Sequence, residues 1–77
     1  MNDDPLKQFG SNLRNIRLNK GSSQEALADA AGLDRTYISS VERGRRNISL
    51  RAICAISIAL DIQPSELLID VVKEIKK

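Results

Sequence analysis

The chain contains no histidine, no tryptophan, one cysteine and only two aromatic residues, Phe9 and Tyr37. A single cysteine excludes a disulfide within one chain, and without histidine it leaves no ligand set for zinc or another transition metal. No nucleophile is paired with a base, and no glycine-rich phosphate loop is present. The sequence therefore predicts a protein that is not an enzyme and that uses neither a metal nor a cofactor.

Long apolar runs are also missing. No segment approaches the length that spans a bilayer, and no basic segment followed by an apolar one opens the chain. We therefore expect no membrane insertion and a location in the reducing cytoplasm, which suits the lone Cys54. The 77 residues favour a single domain spanning 1–77, and a domain of this size buries too little surface to enclose a deep substrate cleft.

What the chain does contain is aliphatic residues at helical spacing. Hydrophobic residues make up 42% of the sequence, they recur every three or four positions, and no window alternates as a strand would. We predict an all-α fold of five helices with caps at Asp4, Ser22 or Ser23, Asp34 and Ser49. The fourth helix is apolar on nearly all sides, which predicts burial on nearly all sides. The fifth begins at Pro64 and carries an apolar stripe of Leu67, Leu68, Val71, Val72 and Ile75.

The third predicted helix lies in the segment GLDRTYISSVERGRRNISL, residues 32–50. At 100° per residue its polar side chains fall in one arc, opposite Ile38 and Val41 and with Tyr37 at the border. The polar arc contains Arg35, Thr36, Ser39, Ser40 and Arg43. Short hydroxyls and arginine forks are the groups that read base edges or grip phosphates. With the short helix and the glycine turn before it, this pattern predicts a DNA-binding helix-turn-helix at about residues 24–43.

Several side chains in this region have a second interpretation. Tyr37 has equal claims to core support and to DNA contact. Asp34 is first a helix cap and second an acceptor for the N4 amino group of cytosine. Glu42 and Arg43 could form an exposed local pair. Arg14 and Arg17 could contact flanking phosphates or simply occupy an exposed helix face.

The chain resembles the Cro/CI-type, or XRE, helix-turn-helix family along FGSNLRNIR (9–17), QEALADAAGL (24–33) and PSELL (64–68). Within that family, residues 32–50 are most similar to the controller proteins of restriction–modification systems, which are dimeric transcription regulators. The resemblance implies a lambda-repressor-like domain of five helices, with the third helix in the major groove. It also implies a homodimer formed mainly by residues 49–77.

Site residues follow from this resemblance position by position. It implies a phosphate contact for Gln24, base contacts in the groove for Arg35, Thr36, Tyr37 and Ser39, and a backbone grip for Arg46 and Asn47 after the recognition helix. Arg43 joins the set because it lies on the same polar arc. The surplus aliphatic residues of the last two helices predict the dimer interface. We assign to that interface Ile56, Leu67, Leu68, Val71 and Val72.

The predicted function is thus a sequence-specific, homodimeric, DNA-binding transcription regulator. Its partners would be a duplex operator with two-fold-related half-sites, a second copy of the chain and, as a candidate, RNA polymerase. A phage-type repressor or an antitoxin is an alternative within DNA binding. In a different class, the same helices could form a protein-interaction adaptor that does not read DNA. An adaptor would be expected to carry a more apolar surface on the third helix.

Overall fold

The computed structural model describes residues 4–72, and in that range it contains five α-helices and no strand. The helices are α1 (Pro5–Asn19), α2 (Gln24–Ala31), α3 (Arg35–Glu42), α4 (Leu50–Leu60) and α5 (Pro64–Leu67). The predicted all-α fold of five helices is confirmed. Ile75, which was assigned to the stripe on the fifth helix, lies outside the described residues.

Polar side chains begin the first four helices, as the sequence predicts. Each cap accepts a hydrogen bond from a backbone N–H two or three residues further on, which satisfies one of the free donors of a helix N-terminus. These caps are Asp4, Ser23, Asp34 and Ser49. Of the two serines that could begin α2, Ser23 is therefore the cap. Pro64 occupies the first turn of α5, where its missing N–H costs nothing.

All five helices contribute to one core. It consists of Phe9, Leu13, Leu27, Ala28, Ile38, Val41, Ile56, Leu60 and Leu67. Helix α2 packs against both α3 and α4, and α1 packs against α3 and α5. Helix α3 is consequently supported on its inner side by two other helices, which fixes the direction of its outer side.

Helix α1 approaches the end of α3 through Gly10. A Cβ atom at this buried position would lie 2.6 Å from the carbonyl oxygen of Glu42 and closer still to that of Val41. Only a residue without a Cβ fits, so the two backbones touch directly. A similar approach occurs just beyond α3, where a Cβ on Gly44 would lie 2.8 Å from the Cα of Lys7. Both glycines hold the C-terminal end of α3 against α1.

The prediction of a long fifth helix is wrong for residues 68–72. Helix α5 ends at Leu67, and Asp70 has a left-handed φ of 61°. The side chain of Asn12 on α1 donates to the carbonyl oxygens of Leu67 at 2.9 Å and Ile69 at 2.7 Å. The N–H of Val71 then bonds to Leu68 rather than to Leu67. The Asn12 side chain thus binds two backbone carbonyl groups of the segment in which the helix ends and the chain turns away.

Candidate nucleic-acid interface

Helix α3 divides into a buried face and an exposed face, as its predicted wheel requires. Ile38 and Val41 are in the core, with 0% and 1% of their surface exposed. Arg35, Thr36 and Arg43 are exposed, and Ser39 is half-buried beside them. The helix thus presents two cationic forks and hydroxyl groups to the outside on a rigidly packed support.

Asp34 organises the first turn of this exposed face. Its Oδ1 atom accepts the Thr36 hydroxyl at 2.7 Å and the Thr36 backbone N–H at 2.9 Å. The hydroxyl bond, and after it the N–H bond, lower the pKa of Asp34 below its usual value because both stabilise the carboxylate. The predicted role of Asp34 as a helix cap is confirmed.

Tyr37 links α3 to the basic loop, which we define as residues 43–47. Its ring packs against the core, and its hydroxyl accepts the N–H of Ser49 at 3.4 Å. The guanidinium carbon of Arg46 lies 4.7 Å from the centre of the ring, a distance at which a cation is attracted to the ring face. Arg46 and Asn47 are both exposed. Tyr37 therefore packs against the core and holds Arg46 over its ring. A contact of Tyr37 with DNA stays a prediction.

A buried ion pair lies beneath the end of α3. Arg17 donates to Glu42 from Nε at 2.6 Å and from Nη2 at 3.0 Å, and the two side chains are 6% and 2% exposed. The hydrogen bond to Glu42 raises the pKa of Arg17 above its usual value. Arg17 also donates to the carbonyl oxygen of Ser22 at 2.8 Å, and Gln24 donates to Glu42 at 3.0 Å. One carboxylate thereby joins α1, α2 and α3.

This ion pair overturns two sequence-based interpretations. Arg17 does not occupy an exposed face or reach outward to a phosphate, because its guanidinium is buried against Glu42. Glu42 does not form a local exposed pair with Arg43, since its partners are Arg17 and Gln24. Gln24 is half-buried, and one of its two amide hydrogens is engaged with Glu42; its contact with a phosphate stays a prediction. No local pattern could have revealed a pair separated by 25 residues.

A second exposed face, on α4, is apolar. Leu50 and Ile58 are 72% and 80% exposed, and Cys54 between them is exposed as well. These three residues follow one another at intervals of four, which places them in one row along the helix. We call this row the α4 apolar face. The turn after α5 also exposes Leu68, Ile69 and Val72.

The structure corrects part of the predicted dimer interface. Ile56 and Leu67 are both 0% exposed, so they fill the core of a single chain and cannot meet a second one. Val71 is half-buried and packs against the same core. Leu68 and Val72 are exposed and remain candidates. The predicted set contains neither Leu50 nor Ile58, although their helical spacing places these two exposed residues in one row. The expected burial of α4 on nearly all sides is also wrong within one chain.

Two further properties concern residues 4–72 only. In this range no group of three or more histidine, cysteine or acidic side chains is arranged to hold a metal ion. No helix described here is both long enough and apolar enough to cross a membrane.

Two short helices joined by a tight turn, the second with an exposed polar face, define a helix-turn-helix protein. A family model described as helix-turn-helix matches residues 13–67, more than two thirds of the chain. Control protein C.MunI of Mycoplasma sp is 47% identical over 75 residues, covering 96% of this chain and all of that one. Control protein C.BamHI of Bacillus amyloliquefaciens is 56% identical over 61 residues, 78% of this chain and 75% of that one.

The fold has a solved counterpart as well. The crystal structure of the restriction–modification controller protein C.AhdI from Aeromonas hydrophila aligns with a TM-score of 0.79 at 55% identity, over 80% of this chain and 94% of that one. The chain belongs to the Cro/CI-type helix-turn-helix family and, within it, to the restriction–modification controller proteins. It is a DNA-binding transcription regulator.

Proposed function

We propose that the protein binds its operator as a homodimer, with α3 of each copy in the major groove of one half-site. The observation that carries this proposal is the two-sided build of α3, with Arg35, Thr36 and Arg43 exposed and Ile38 and Val41 in the core. Residues in the first turn of a recognition helix are the ones that meet base edges. Arg35 stands there, and its fork matches O6 and N7 of one guanine.

The remaining contacts divide between bases and backbone. Thr36, Tyr37 and Ser39 lie on or beside the exposed face and would meet base edges or sugars. Gln24, Arg43, Arg46 and Asn47 would hold phosphates, which fix the position of the protein on the duplex without reading sequence. The stacking of Arg46 over Tyr37 supports this division, because it fixes one cation of the basic loop next to the recognition helix.

The dimer would form through the α4 apolar face together with Leu68 and Val72. The support for this is exposure, since Leu50 and Ile58 are among the most exposed aliphatic residues described and stand in one row. Several large apolar side chains exposed on one small protein indicate an interaction site. A two-fold axis is the simplest way to cover it with a second copy. The same axis would space the two recognition helices for two-fold-related half-sites.

The protein would act by binding alone, without catalysis. A DNA-bound regulator alters transcription either by obstructing RNA polymerase or by contacting it, so RNA polymerase is the further partner that we propose. The place of action would be the cytoplasm, where the DNA of its bacterial relatives lies. Transcription in vitro from a promoter that carries the operator, with and without the protein, determines the sign of regulation.

Selection of bound duplexes from a random pool tests the function directly. We expect a motif with two-fold symmetry whose half-site centres are about one helical turn, or a multiple of it, apart. The affinity for that motif should fall by roughly 10³ to 10⁵ between 50 and 200 mM salt if about six to ten phosphates are neutralised per dimer. Recovery of no motif, or an affinity indifferent to salt, would favour an adaptor that does not read DNA.

A further inference from the structure

The Thr36 hydroxyl donates its only hydrogen to another residue of the same chain. A hydroxyl carries one hydrogen to donate and two lone pairs to accept. Its partner at 2.7 Å is Oδ1 of Asp34, and the lowered pKa of Asp34 keeps that carboxylate ionised at neutral pH. An ionised carboxylate can only accept, so the hydroxyl must be the donor in this bond.

The rotation of the hydroxyl is fixed as well. The same Oδ1 atom accepts the backbone N–H of Thr36 at 2.9 Å, which ties the carboxylate to the first turn of α3. Asp34 is thus held by the helix, and the hydroxyl is held by Asp34. What Thr36 offers to a molecule outside is two lone pairs and a methyl group. Both residues are exposed, so this surface is accessible.

The four bases differ in what they present to such a group in the major groove. Adenine and cytosine offer an exocyclic amino group, which donates, at N6 and N4. Guanine and thymine offer carbonyl oxygens, which accept, at O6 and O4. A hydroxyl that can only accept would bond to the amino groups and would be repelled by the carbonyl oxygens. A freely rotating hydroxyl would tolerate both.

We propose that Asp34 is a specificity-determining residue that acts through Thr36, by holding its hydroxyl as an acceptor that selects adenine or cytosine against guanine or thymine. This inference rests on the proposed function, in which α3 lies in the major groove. It also accounts for an acid on a surface that meets a polyanion. The negative charge of Asp34 would weaken attraction to any DNA, but it makes the neighbouring Thr36 hydroxyl an acceptor only.

The test compares the base preferences of the wild type, Asp34→Gly, Thr36→Val and the double variant, by selection and by titration of four duplexes that differ at one base pair. Glycine is nearly as good an N-cap as the residue it replaces, and valine keeps the shape of threonine without its hydroxyl. For the wild type we expect one base pair in each half-site at which adenine or cytosine is favoured about 3- to 10-fold over guanine or thymine.

Both single variants should lose this preference, leaving less than about a 2-fold difference. The double variant should behave as Thr36→Val does, because in this proposal Asp34 acts on the base only through the hydroxyl. Glu25→Gln is the matched control, since it removes an exposed acid from the first turn of α2. It should raise affinity for all duplexes equally and leave the base preference unchanged.

Two outcomes overturn the proposal while leaving the proposed function intact. If Asp34→Gly still alters the preference in the Thr36→Val background, the carboxylate reads a base itself. If Asp34→Gly leaves the preference of the wild type unchanged, the carboxylate is a helix cap only. The proposed function fails instead if no motif is selected, whereas an Arg35→Ala variant that retains the wild-type motif removes only the base-reading role of Arg35. Should Asp34→Gly not fold, Asp34→Ser keeps a cap oxygen but replaces the obligatory acceptor by a hydroxyl, and the same expectations apply.

Discussion

The recognition helix α3 and the helix α4 each leave one face uncovered, and the two faces are opposite in chemistry. On α3 the exposed side chains include Arg35, Thr36 and Arg43, whereas on α4 they include Leu50 and Ile58. Both helices bury their other face in the same core. The two helices are packed in the same way. The chemistry of their exposed side chains therefore decides that α3 suits a polyanion and α4 an apolar partner.

The support beneath the two faces also differs. Under the end of α3 lies the buried pair of Arg17 and Glu42, while behind the α4 apolar face lie aliphatic residues such as Ile56 and Leu60. Removing one partner of a buried ion pair lowers the free energy of unfolding strongly, because the other charge stays buried and unpaired. Shortening a buried aliphatic side chain lowers it in proportion to the cavity left behind. The two regions should therefore respond differently to substitution.

The largest effect is expected on the α4 apolar face. Ile58→Asp should leave the monomer folded, because the side chain is 80% exposed, but it should abolish the dimer. Burial of one isoleucine side chain is worth about 1.5–3 kcal/mol, and symmetry doubles it, so the dissociation constant should rise about 100-fold or more. Sedimentation over a range of concentrations measures this. Unchanged dimerisation of the variant would remove this face from the interface.

Ile56→Val is the matched control, because it alters an isoleucine two positions away that is wholly buried. It should lower the free energy of unfolding by about 0.5–1.5 kcal/mol and leave the monomer–dimer equilibrium as it is. A variant at position 56 that dissociated the dimer as strongly as one at position 58 would contradict the distinction between the two isoleucines.

A slightly smaller effect, on stability rather than assembly, is expected below α3. Arg17→Met leaves the Glu42 carboxylate buried without its cation, which should cost about 3–5 kcal/mol of unfolding free energy. Urea denaturation measures it. Arg14→Met on the same helix is exposed and should change stability by less than about 0.5 kcal/mol. Equal losses of unfolding free energy in the two variants would show that the buried pair stabilises the fold no more than an exposed arginine does.

The third prediction separates two arginines of the DNA-binding region. Arg35→Ala should cost about 1–3 kcal/mol on the selected operator and relax the requirement at one base pair in each half-site. Arg46→Ala should weaken binding to operator and random DNA alike and reduce the salt dependence. Titration of both variants against operator, single-base variant and random duplex decides it. Equal loss on all three duplexes for Arg35→Ala would make that residue a backbone contact.

The smallest effect concerns acid conditions. Because the pKa of Asp34 is lowered in the folded chain from its usual 3.8, its contribution to stability is complete above that value. The contribution disappears as the pH falls through the lower, native pKa. The difference in melting temperature between wild type and Asp34→Gly should thus be constant from neutral pH to about pH 5 and shrink below about pH 4. A difference that persisted unchanged at pH 2 would argue against the Thr36 bond.

Helix positions and the two faces of α3 were predictable because they depend on neighbouring residues. Ser23 bonds three residues away and Asp34 two residues away, so a short stretch of sequence contains all the information. The burial of Ile38 and Val41 follows from the period of one helix in the same way. The division of α3 into a polar face and an apolar face is therefore a local property that the sequence alone reveals.

What could not be predicted depends on contacts between distant residues. Asn12 bonds to the end of α5 from 55 residues away, and the apolar spacing of Leu67, Leu68 and Val71 gives no sign that the helix ends there. The partner of Arg17 is likewise set by how α1 crosses α3. Ile56 and Ile58 are chemically identical neighbours on an apolar helix, and only the positions of α2 and α5 decide which one is covered. Composition identified a surplus of aliphatic residues but could not show which of them lie in the core and which on the surface.

The contact of Gly10 with the carbonyl groups of Val41 and Glu42 makes the protein a scaffold for redesign. Main-chain atoms, rather than the outward side chains, set the distance between α1 and the end of α3. The outward positions of α3 can consequently be exchanged as a set, with the inner residues and Gly10 kept, while the helix stays in place. A library randomised only at Arg35, Thr36 and Ser39 should yield folded proteins that recognise new operators.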